Sequence, residues 1–175
     1  IRAIGADLKN EQLLFESGFQ LNASSLGVLK SLGCKEVEVY RKPVVSIVVT
    51  GDELVSEDRP LQKGEIYESN STVLKAALES NGIAVQKVIA VKDDFEVTRE
   101  ALKGALKSSD LTLVSGGISV GAYDFVYRSL QELAVETYFY KVKQKPGKPL
   151  FFGGLNNNYL FALRGNPGSA LTCFY

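Results

Sequence analysis

Short apolar runs alternate with amphipathic stretches through most of the chain. Runs rich in Val, Ile and Leu, at residues 44–49 and 111–114, predict strands that are buried on both faces. At residues 97–106 apolar positions recur every three or four residues, which predicts an amphipathic helix. Strands that alternate with helices form right-handed βαβ units around a mainly parallel sheet. The pattern therefore predicts an α/β fold with three layers, in which helices cover both faces of one sheet.

The same criteria predict the remaining elements and the domain organisation. Strands are predicted at residues 36–40, 66–67, 85–91, 136–142, 150–152 and 159–163, and helices at 24–32, 125–133, from about residue 70 and from Pro167. Glycines and asparagines at residues 153–158 predict a hairpin turn. We assign residues 1–43 to the end of a preceding domain and a linker, and residues 44–175 to the α/β domain. Because residue 1 is not Met and the last helix has run only a few residues at Tyr175, we expect a segment of a longer protein, truncated at its C-terminus.

The most informative segment runs from Ser115 to Asp124 and joins a predicted strand to a predicted helix through Gly116, Gly117 and Gly121. A glycine-rich turn at such a junction lets backbone N–H groups point outward together, and the helix N-terminus adds positive potential. The segment is therefore a candidate phosphate-binding loop. A single loop of this kind is a weak signal, because a tight connection without a ligand has the same composition.

Three further segments strengthen the prediction of a functional site. Residues 50–54 and 165–169 each directly follow a predicted strand, as the glycine segment does, and residues 145–149 carry two lysines. In α/β sheets, ligands bind at the carboxyl ends of the parallel strands. We therefore expect all four segments to meet at one edge of the sheet and to bind an anion there.

Composition narrows the function classes. The 175 residues carry no net charge and no histidine. Balanced charge argues against a nucleic-acid or anionic-membrane partner, and without histidine the chain holds neither a Ser-His-Asp triad nor a His-ligated zinc. No apolar run approaches the roughly 20 residues needed to span a bilayer, so no membrane association is expected. Cys34 and Cys173 are expected to be small core residues in a reducing compartment, which indicates a cytoplasmic protein.

Five motifs in sequence order resemble those of the molybdopterin-binding domain of MoeA-type molybdopterin molybdenumtransferases. They are residues 50–54, 69–71, 115–121 with Asp124, 145–149 and 165–167. Residues 1–43 also resemble the segment that precedes this domain in the family. The resemblance implies a MogA-like three-layer αβα fold and the last step of molybdenum cofactor synthesis. In that step molybdate is inserted into adenylylated molybdopterin with release of AMP, assisted by Mg²⁺ in a homodimer.

The resemblance also implies roles for particular residues. Glu53 and Asp124 are the expected catalytic carboxylates and Mg²⁺ ligands. The expected molybdopterin-binding residues are Thr50, Gly51, Asp52, Ser69, Asn70, Ser71, Ser115, Gly116, Gly117, Ser119, Gly121, Lys145, Gly147, Lys148, Gly165, Asn166, Pro167 and Ser169. Several have a structural alternative, since Asp124 and Asn166 are also candidate helix caps and Asp52 also fits a turn. Asn70 is balanced between a cap and a ligand contact.

Departures from the family pattern leave other functions open. Arg164 replaces a common proline, Gly168 a usual valine and Glu68 a frequent aspartate, which leaves the fine substrate geometry open. A MogA-type molybdopterin adenylyltransferase or a CinA-like nucleotide hydrolase has the same expected fold. A gephyrin-like scaffold is the alternative outside enzymes. The residues 145–149 and the leading segment favour the MoeA type.

Overall fold

The computed structural model describes residue 3, residues 5–118 and residues 124–175, which form two compact units, Ile1–Arg41 and Lys42–Tyr175. The first unit contains helix α1 (Ala23–Ser31), which begins with a reciprocal cap between Asn22 and Ser25. The Asn22 side chain accepts from the Ser25 amide at 3.0 Å, and the Ser25 hydroxyl accepts from the Asn22 amide at 2.8 Å.

The strand predicted at residues 36–40 is wrong. These residues form no strand in the structure, and Val39 and Tyr40 are 67% and 83% exposed. Alternating apolar residues favour a strand only where a neighbouring strand completes the hydrogen-bond ladder and covers one face. Cys34 in the same unit is exposed, so the expectation that it is a core residue is also wrong.

The second unit contains eight strands and four helices within its described residues. In chain order they are β1 (Val45–Thr50), β2 (Leu54–Val55), β3 (Ile66–Tyr67), α2 (Asn70–Ser80), β4 (Val85–Val91), α3 (Phe95–Ser108), β5 (Leu111–Ser115), α4 (Phe125–Glu132), β6 (Glu136–Tyr140), β7 (Phe151–Leu155), β8 (Asn158–Leu163) and α5 (Pro167–Phe174). None of the helices in the described residues is long and apolar enough to cross a bilayer.

Six strands form one sheet in the order β4-β1-β5-β8-β7-β6. The pairs β1 with β4, β1 with β5 and β5 with β8 are parallel, whereas β7 runs antiparallel to both β8 and β6. One face packs against α3 and α4 through side chains such as Leu102 and Leu130, and the other against α2 and α5 through Leu74 and Ala170. The three-layer α/β fold with a mainly parallel sheet is confirmed.

The hairpin between β7 and β8 is tighter than predicted, because its turn consists of Asn156 and Asn157 alone. Asn156 has a φ of +54°, which asparagine tolerates better than most residues. Gly153 and Gly154 lie within β7 instead. A Cβ atom at Gly153 would overlap the carbonyl oxygen of Glu136 on the neighbouring strand, so its glycine serves close packing and not the turn.

The long connection between β1 and α2 has its own internal structure. β2 and β3 pair in parallel, and Arg59 forms two 2.7 Å hydrogen bonds with the carboxylate of Glu65. The Tyr67 hydroxyl donates to the Arg59 carbonyl at 3.1 Å. Hydrogen bonds from Arg59 and then from the Gln62 amide lower the pKa of Glu65 to about 2.

The ordering of this connection is expected to depend on pH in the acid range. Because the folded pKa of Glu65 lies below its usual value of 4.5, the interaction is complete above that value and is lost as pH falls towards about 2. An NMR titration of the Glu65 carboxyl carbon measures the midpoint, and Arg59→Gln should raise it towards 4.5, with the Gln62 amide still lowering it. A midpoint near 4.5 in the unsubstituted chain would contradict the pairing.

Candidate functional site

The carboxyl ends of β1, β4, β5 and β8 all lie at the same edge of the sheet, since these strands are mutually parallel. The segments after β5 and β8 are in direct contact there. The Gly116 amide donates to the Leu163 carbonyl at 3.2 Å, and a Cβ atom at Gly165 would lie 3.5 Å from the Cα of Gly116. The glycine segment and the start of α5 are therefore neighbours, as the sequence predicts.

Antiparallel β7 brings a further segment to this edge. β7 begins where the parallel strands end, so the connection between β6 and β7, which contains Lys145 and Lys148, lies at the same edge. We call the assembly the carboxyl-edge site and define it by residues 50–54, 69–71, 93, 115–118, 124, 145–149 and 165–169. It contains the described members of all five motifs.

Two glycines of the site have positive φ angles and lie against Thr50. Gly116 has a φ of +94° and Gly117 a φ of +59°, a region that other residues enter with strain. A Cβ atom at Gly116 would overlap the Thr50 carbonyl, and one at Gly117 would crowd the Thr50 hydroxyl and Val126. The glycines are therefore required for the close approach of the segments that follow β1 and β5. Gly51 is also buried at this junction.

Asn70 does not cap its helix and instead joins separate segments of the site, while its predicted ligand contact stays a prediction. Its side chain, 7% exposed, donates from Nδ2 to the Ser115 hydroxyl at 2.8 Å and to the Gly165 carbonyl at 2.7 Å. It therefore joins the start of α2 to the segments after β5 and β8. Its buried Oδ1 has no hydrogen-bond partner among the described residues.

The cap of α2 is supplied by another residue. Ser69 occupies the N-cap position without a side-chain hydrogen bond, whereas the Glu68 carboxylate accepts from the Ser71 amide at 2.9 Å and from the Ser71 hydroxyl. An acidic side chain here also interacts favourably with the positive end of the helix. Glu68, which the sequence analysis noted only as a departure from the family pattern, thus frees Asn70 for its contacts with Ser115 and Gly165.

Helix α5 begins as predicted, with Asn166 as N-cap and Pro167 as its first residue. The Asn166 Oδ1 accepts from the amide of Ser169 at 3.1 Å, and Ser169 is 5% exposed. Gly147, at a φ of +98°, packs on this helix, where a Cβ atom would overlap the Cys173 sulfur. The exposed lysines Lys145 and Lys148 on either side of Gly147 are thereby held next to the start of α5.

Three carboxylates gather at the β1 and β4 end of the site. The Asp93 amide donates to Asp52 Oδ1 at 3.1 Å. Partial desolvation and then the negative charges of Asp52 and Glu53 raise the pKa of Asp93 above its usual value. Asp93 and Asp94 both precede α3, but Asp94 alone caps the helix, through the Val97 amide at 2.9 Å. The unused second aspartate was the signal that could have identified Asp93.

Asp124 lies in a different set of contacts. It caps α4, where Oδ1 accepts from the Tyr127 amide at 2.8 Å, and its Oδ2 accepts from the Tyr140 hydroxyl at 3.0 Å. Across residue 3 and residues 5–118 and 124–175, no group of three or more His, Cys, Asp or Glu residues is arranged to hold a metal ion by itself. Glu53 and Asp124 therefore belong to no such group of three in the described residues, and their role as Mg²⁺ ligands stays a prediction. Ser119 and Gly121 lie outside the described residues.

These features define a class of α/β domain whose glycine-lined carboxyl edge, flanked by lysines and carboxylates, can bind an anionic ligand. Residues 46–175 match the family described as "Probable molybdopterin binding domain". The chain belongs to this molybdopterin-binding domain family. It is 41% identical over all 175 residues to a molybdopterin molybdenumtransferase of Haemophilus influenzae, and it covers 43% of that protein.

Solved structures agree with this membership. The chain matches a molybdopterin biosynthesis MoeA protein of Pyrococcus horikoshii with a TM-score of 0.79 and 30% identity, over 97% of this chain and 42% of that one. A tungsten cofactor synthesizing protein MoaB of Pyrococcus furiosus matches with a TM-score of 0.57 at 16% identity, over 78% of this chain and 90% of that one, which supports the fold alone. The chain spans less than half the length of the molybdenumtransferase and MoeA relatives.

The Asn70 contacts predict a marked loss of stability in Asn70→Ala. Removing the amide leaves the Ser115 hydroxyl and the Gly165 carbonyl without this donor. Each lost hydrogen bond should lower the free energy of unfolding by about 1 to 1.5 kcal/mol, or about 2 to 3 kcal/mol together. Urea unfolding measures the difference. The matched control is Asn81→Ala at the other end of α2, which removes one part-buried hydrogen bond to the Ala77 carbonyl and should cost about 1 kcal/mol or less. Equal losses in the two variants would contradict the role of Asn70.

Proposed function

We propose that the intact protein carrying this chain is a molybdopterin molybdenumtransferase, which inserts molybdate into adenylylated molybdopterin and releases AMP. One observation carries the proposal: the described parts of five separate motifs lie at one edge of the sheet, where Asn70 joins three of their segments. The identity of 41% to a relative of that name, over the whole chain, supports the same reaction. The domain would bind the pterin nucleotide at the carboxyl-edge site.

The site offers the donors that a pyrophosphate-linked substrate requires. The start of α5 contributes only about 0.3 to 1 kcal/mol towards an anion, so one helix terminus is not sufficient. Hydrogen bonds to a charged group add about 1.5 to 3 kcal/mol each. We assign these bonds to backbone amides of the segment after β5, which includes Gly117, and to the ammonium groups of Lys145 and Lys148. Several moderate hydrogen bonds would then hold the pyrophosphate together, without one dominant contact.

The carboxylates fit Mg²⁺ by their donor chemistry. Hard oxygen ligands suit this ion, which usually binds to one or two carboxylates together with substrate phosphates and water. Glu53 and Asp93 are the closest to this requirement, because partial desolvation and then the negative charges of Asp52 and Glu53 raise the pKa of Asp93, and a cation there would offset these charges. The resemblance implies Asp124 as a ligand as well, with the ion held jointly with substrate phosphates and water and not by these carboxylates alone. When bound, Mg²⁺ would neutralise the phosphate charge at the adenylate linkage.

The remaining features of the proposal rest on the family likeness. We propose that the intact protein is a cytoplasmic homodimer, as the resemblance implies. The chain covers 43% of its Haemophilus influenzae relative, so residues outside it are expected to contribute to the complete reaction.

Substitution of the carboxylates tests the proposed reaction. In the intact protein, Asp124→Asn and Glu53→Gln should each lower the rate of molybdate insertion by about a hundredfold, because each removes charge at the reacting phosphates. Asparagine at position 124 keeps the α4 cap, which alanine would remove. Glu57→Gln, on the exposed connection that follows β2, is the control and should retain the parental rate.

The assay follows molybdenum cofactor and AMP formed from adenylylated molybdopterin and molybdate. Parental rates in both Asp124→Asn and Glu53→Gln would remove these residues from the mechanism. An unsubstituted protein that adenylylates molybdopterin with ATP, and inserts no molybdate, would replace the proposed reaction with that of an adenylyltransferase.

Lys148→Ala tests the electrostatic part of binding. We expect about tenfold weaker binding of the adenylylated pterin at low salt, since one charge-assisted hydrogen bond is lost. The difference from the parent should shrink at high salt, because an exposed ammonium is screened. Lys107→Ala, on the last turn of α3 at the opposite edge of the sheet, is the control. Calorimetric titration measures both, and a loss that is independent of salt would indicate a structural role for Lys148.

A further inference from the structure

Tyr140, the last residue of β6, reaches the carboxylate at the start of α4. Its hydroxyl donates to Asp124 Oδ2 at 3.0 Å, while the Tyr127 amide donates to Asp124 Oδ1 at 2.8 Å. The two oxygens of Asp124 are thus held from two directions, one by its own helix and one by a strand of the sheet. The first donor is a backbone amide, and the second is the side chain of Tyr140.

The ring of Tyr140 is fixed by its neighbours. It stacks on Tyr127 with a centroid distance of 4.7 Å and an interplanar angle of 20°. Its edge-to-face contact with Phe151 has a centroid distance of 6.2 Å, and Phe151 is fully buried in the core. The ammonium of Lys141 lies 4.8 Å above the ring centroid. Aromatic packing and the core therefore determine where the hydroxyl lies.

The Tyr140 hydroxyl donates in its contact with Asp124. A phenol O–H is a donor and carboxylate oxygens accept, so the direction of the hydrogen bond is defined. Asp124 therefore receives two donors from rigid elements, and its carboxylate cannot rotate without breaking one of them.

We propose that Tyr140 is a positioning residue that fixes the orientation of the Asp124 carboxylate for the reaction at the carboxyl-edge site. The inference rests on the proposed function, because it takes Asp124 as a group that acts on the substrate phosphates. Tyr140 itself contacts Asp124 and acts through it. The glycine segment ends at Asp124, so the same hydrogen bond also ties the end of that segment to the sheet.

A residue that only packs α4 against the sheet would have different consequences. Loss of packing lowers the thermal stability and leaves the chemical step of the folded protein unchanged. Loss of positioning lowers kcat, leaves KM for the pterin substrate close to the parental value, and changes the environment of the carboxylate. Tyr140→Phe separates the two roles, since it keeps the ring and its stacking on Tyr127 and removes only the hydroxyl.

The experiment compares Tyr140→Phe with Tyr138→Phe in the intact protein. Tyr138 lies on the same strand, 47% exposed, with its ring against Phe152 at a centroid distance of 5.0 Å. For Tyr140→Phe we expect about a tenfold lower kcat, the size typical for loss of a group that orients a functional ligand, with KM for the pterin changed less than about twofold. Tyr138→Phe should match the parent, and thermal unfolding confirms that both variants fold.

A second readout is independent of activity. The ¹³C chemical shift of the Asp124 carboxyl carbon at neutral pH should change in Tyr140→Phe and stay the same in Tyr138→Phe. An unchanged shift in Tyr140→Phe would show that the hydrogen bond does not form in solution, and this would overturn the inference. A changed shift with a parental kcat would overturn the positioning role and leave the proposed function intact.

Failure of the proposed function gives a distinguishable result. A parental rate in Asp124→Asn removes Asp124 from the reaction. Tyr140 then positions no group that acts on the substrate, even if the chemical shift responds to Tyr140→Phe. A changed shift, a lower kcat and an unchanged KM in Tyr140→Phe, together with a slow Asp124→Asn, support the inference.

Discussion

The carboxyl-edge site depends on one buried amide. Asn70 lies at the start of α2 and donates both of its Nδ2 protons, one to Ser115 at the end of β5 and one to the backbone of Gly165 after β8. Each acceptor belongs to a different part of the chain, so one side chain sets the distance between three segments. A buried polar group that loses its partner costs about 1 to 3 kcal/mol, which makes this arrangement specific as well as stable.

The reversed direction of β7 is the second constraint. If β7 ran parallel to β8, the connection that carries Lys145 and Lys148 would end at the opposite edge of the sheet. The two-residue turn at Asn156 and Asn157 makes β7 and β8 antiparallel instead, and β7 then begins beside the start of α5. Gly147 completes the arrangement, because its missing side chain lets the lysine segment pack against Cys173. A local turn thus determines where the positive charge lies.

Charge is distributed unevenly along the site. Asp52, Glu53 and Asp93 lie at the β4 and β1 end, and the lysines lie at the β7 and β6 end. Two strands, β5 and β8, separate β1 from β7, which corresponds to about 14 Å at the usual spacing between strands. Under the proposed function, this span suits an extended ligand with its phosphates near the glycine segment. A single inorganic anion could not contact both ends.

The sequence by itself determined the alternation of strands and helices, the caps of α3, α4 and α5, and the segments that follow β1, β5 and β8. These features depend on local periodicity, on residues such as Asn166 and Pro167 with strong positional preferences, and on the rule that parallel strands end at one edge. The resemblance to the family could also be recognised from the sequence, because the order of the motifs is a property of the sequence.

Only the tertiary structure decided which side chains meet. From the sequence Asn70 is balanced between a helix cap and a ligand contact; in the structure Glu68 takes the cap, and Asn70 contacts Ser115 and Gly165. Asp93 lies in the acidic cluster because of the register of β4 beside β1. Tyr140 contacts Asp124 although the two residues are 16 positions apart in the sequence. Residues 36–40 have the alternation of a strand, but no strand among residue 3, residues 5–118 and residues 124–175 pairs with them. Pairing, burial and contact between distant segments are cooperative properties of the folded chain, and no local pattern of residues contains them.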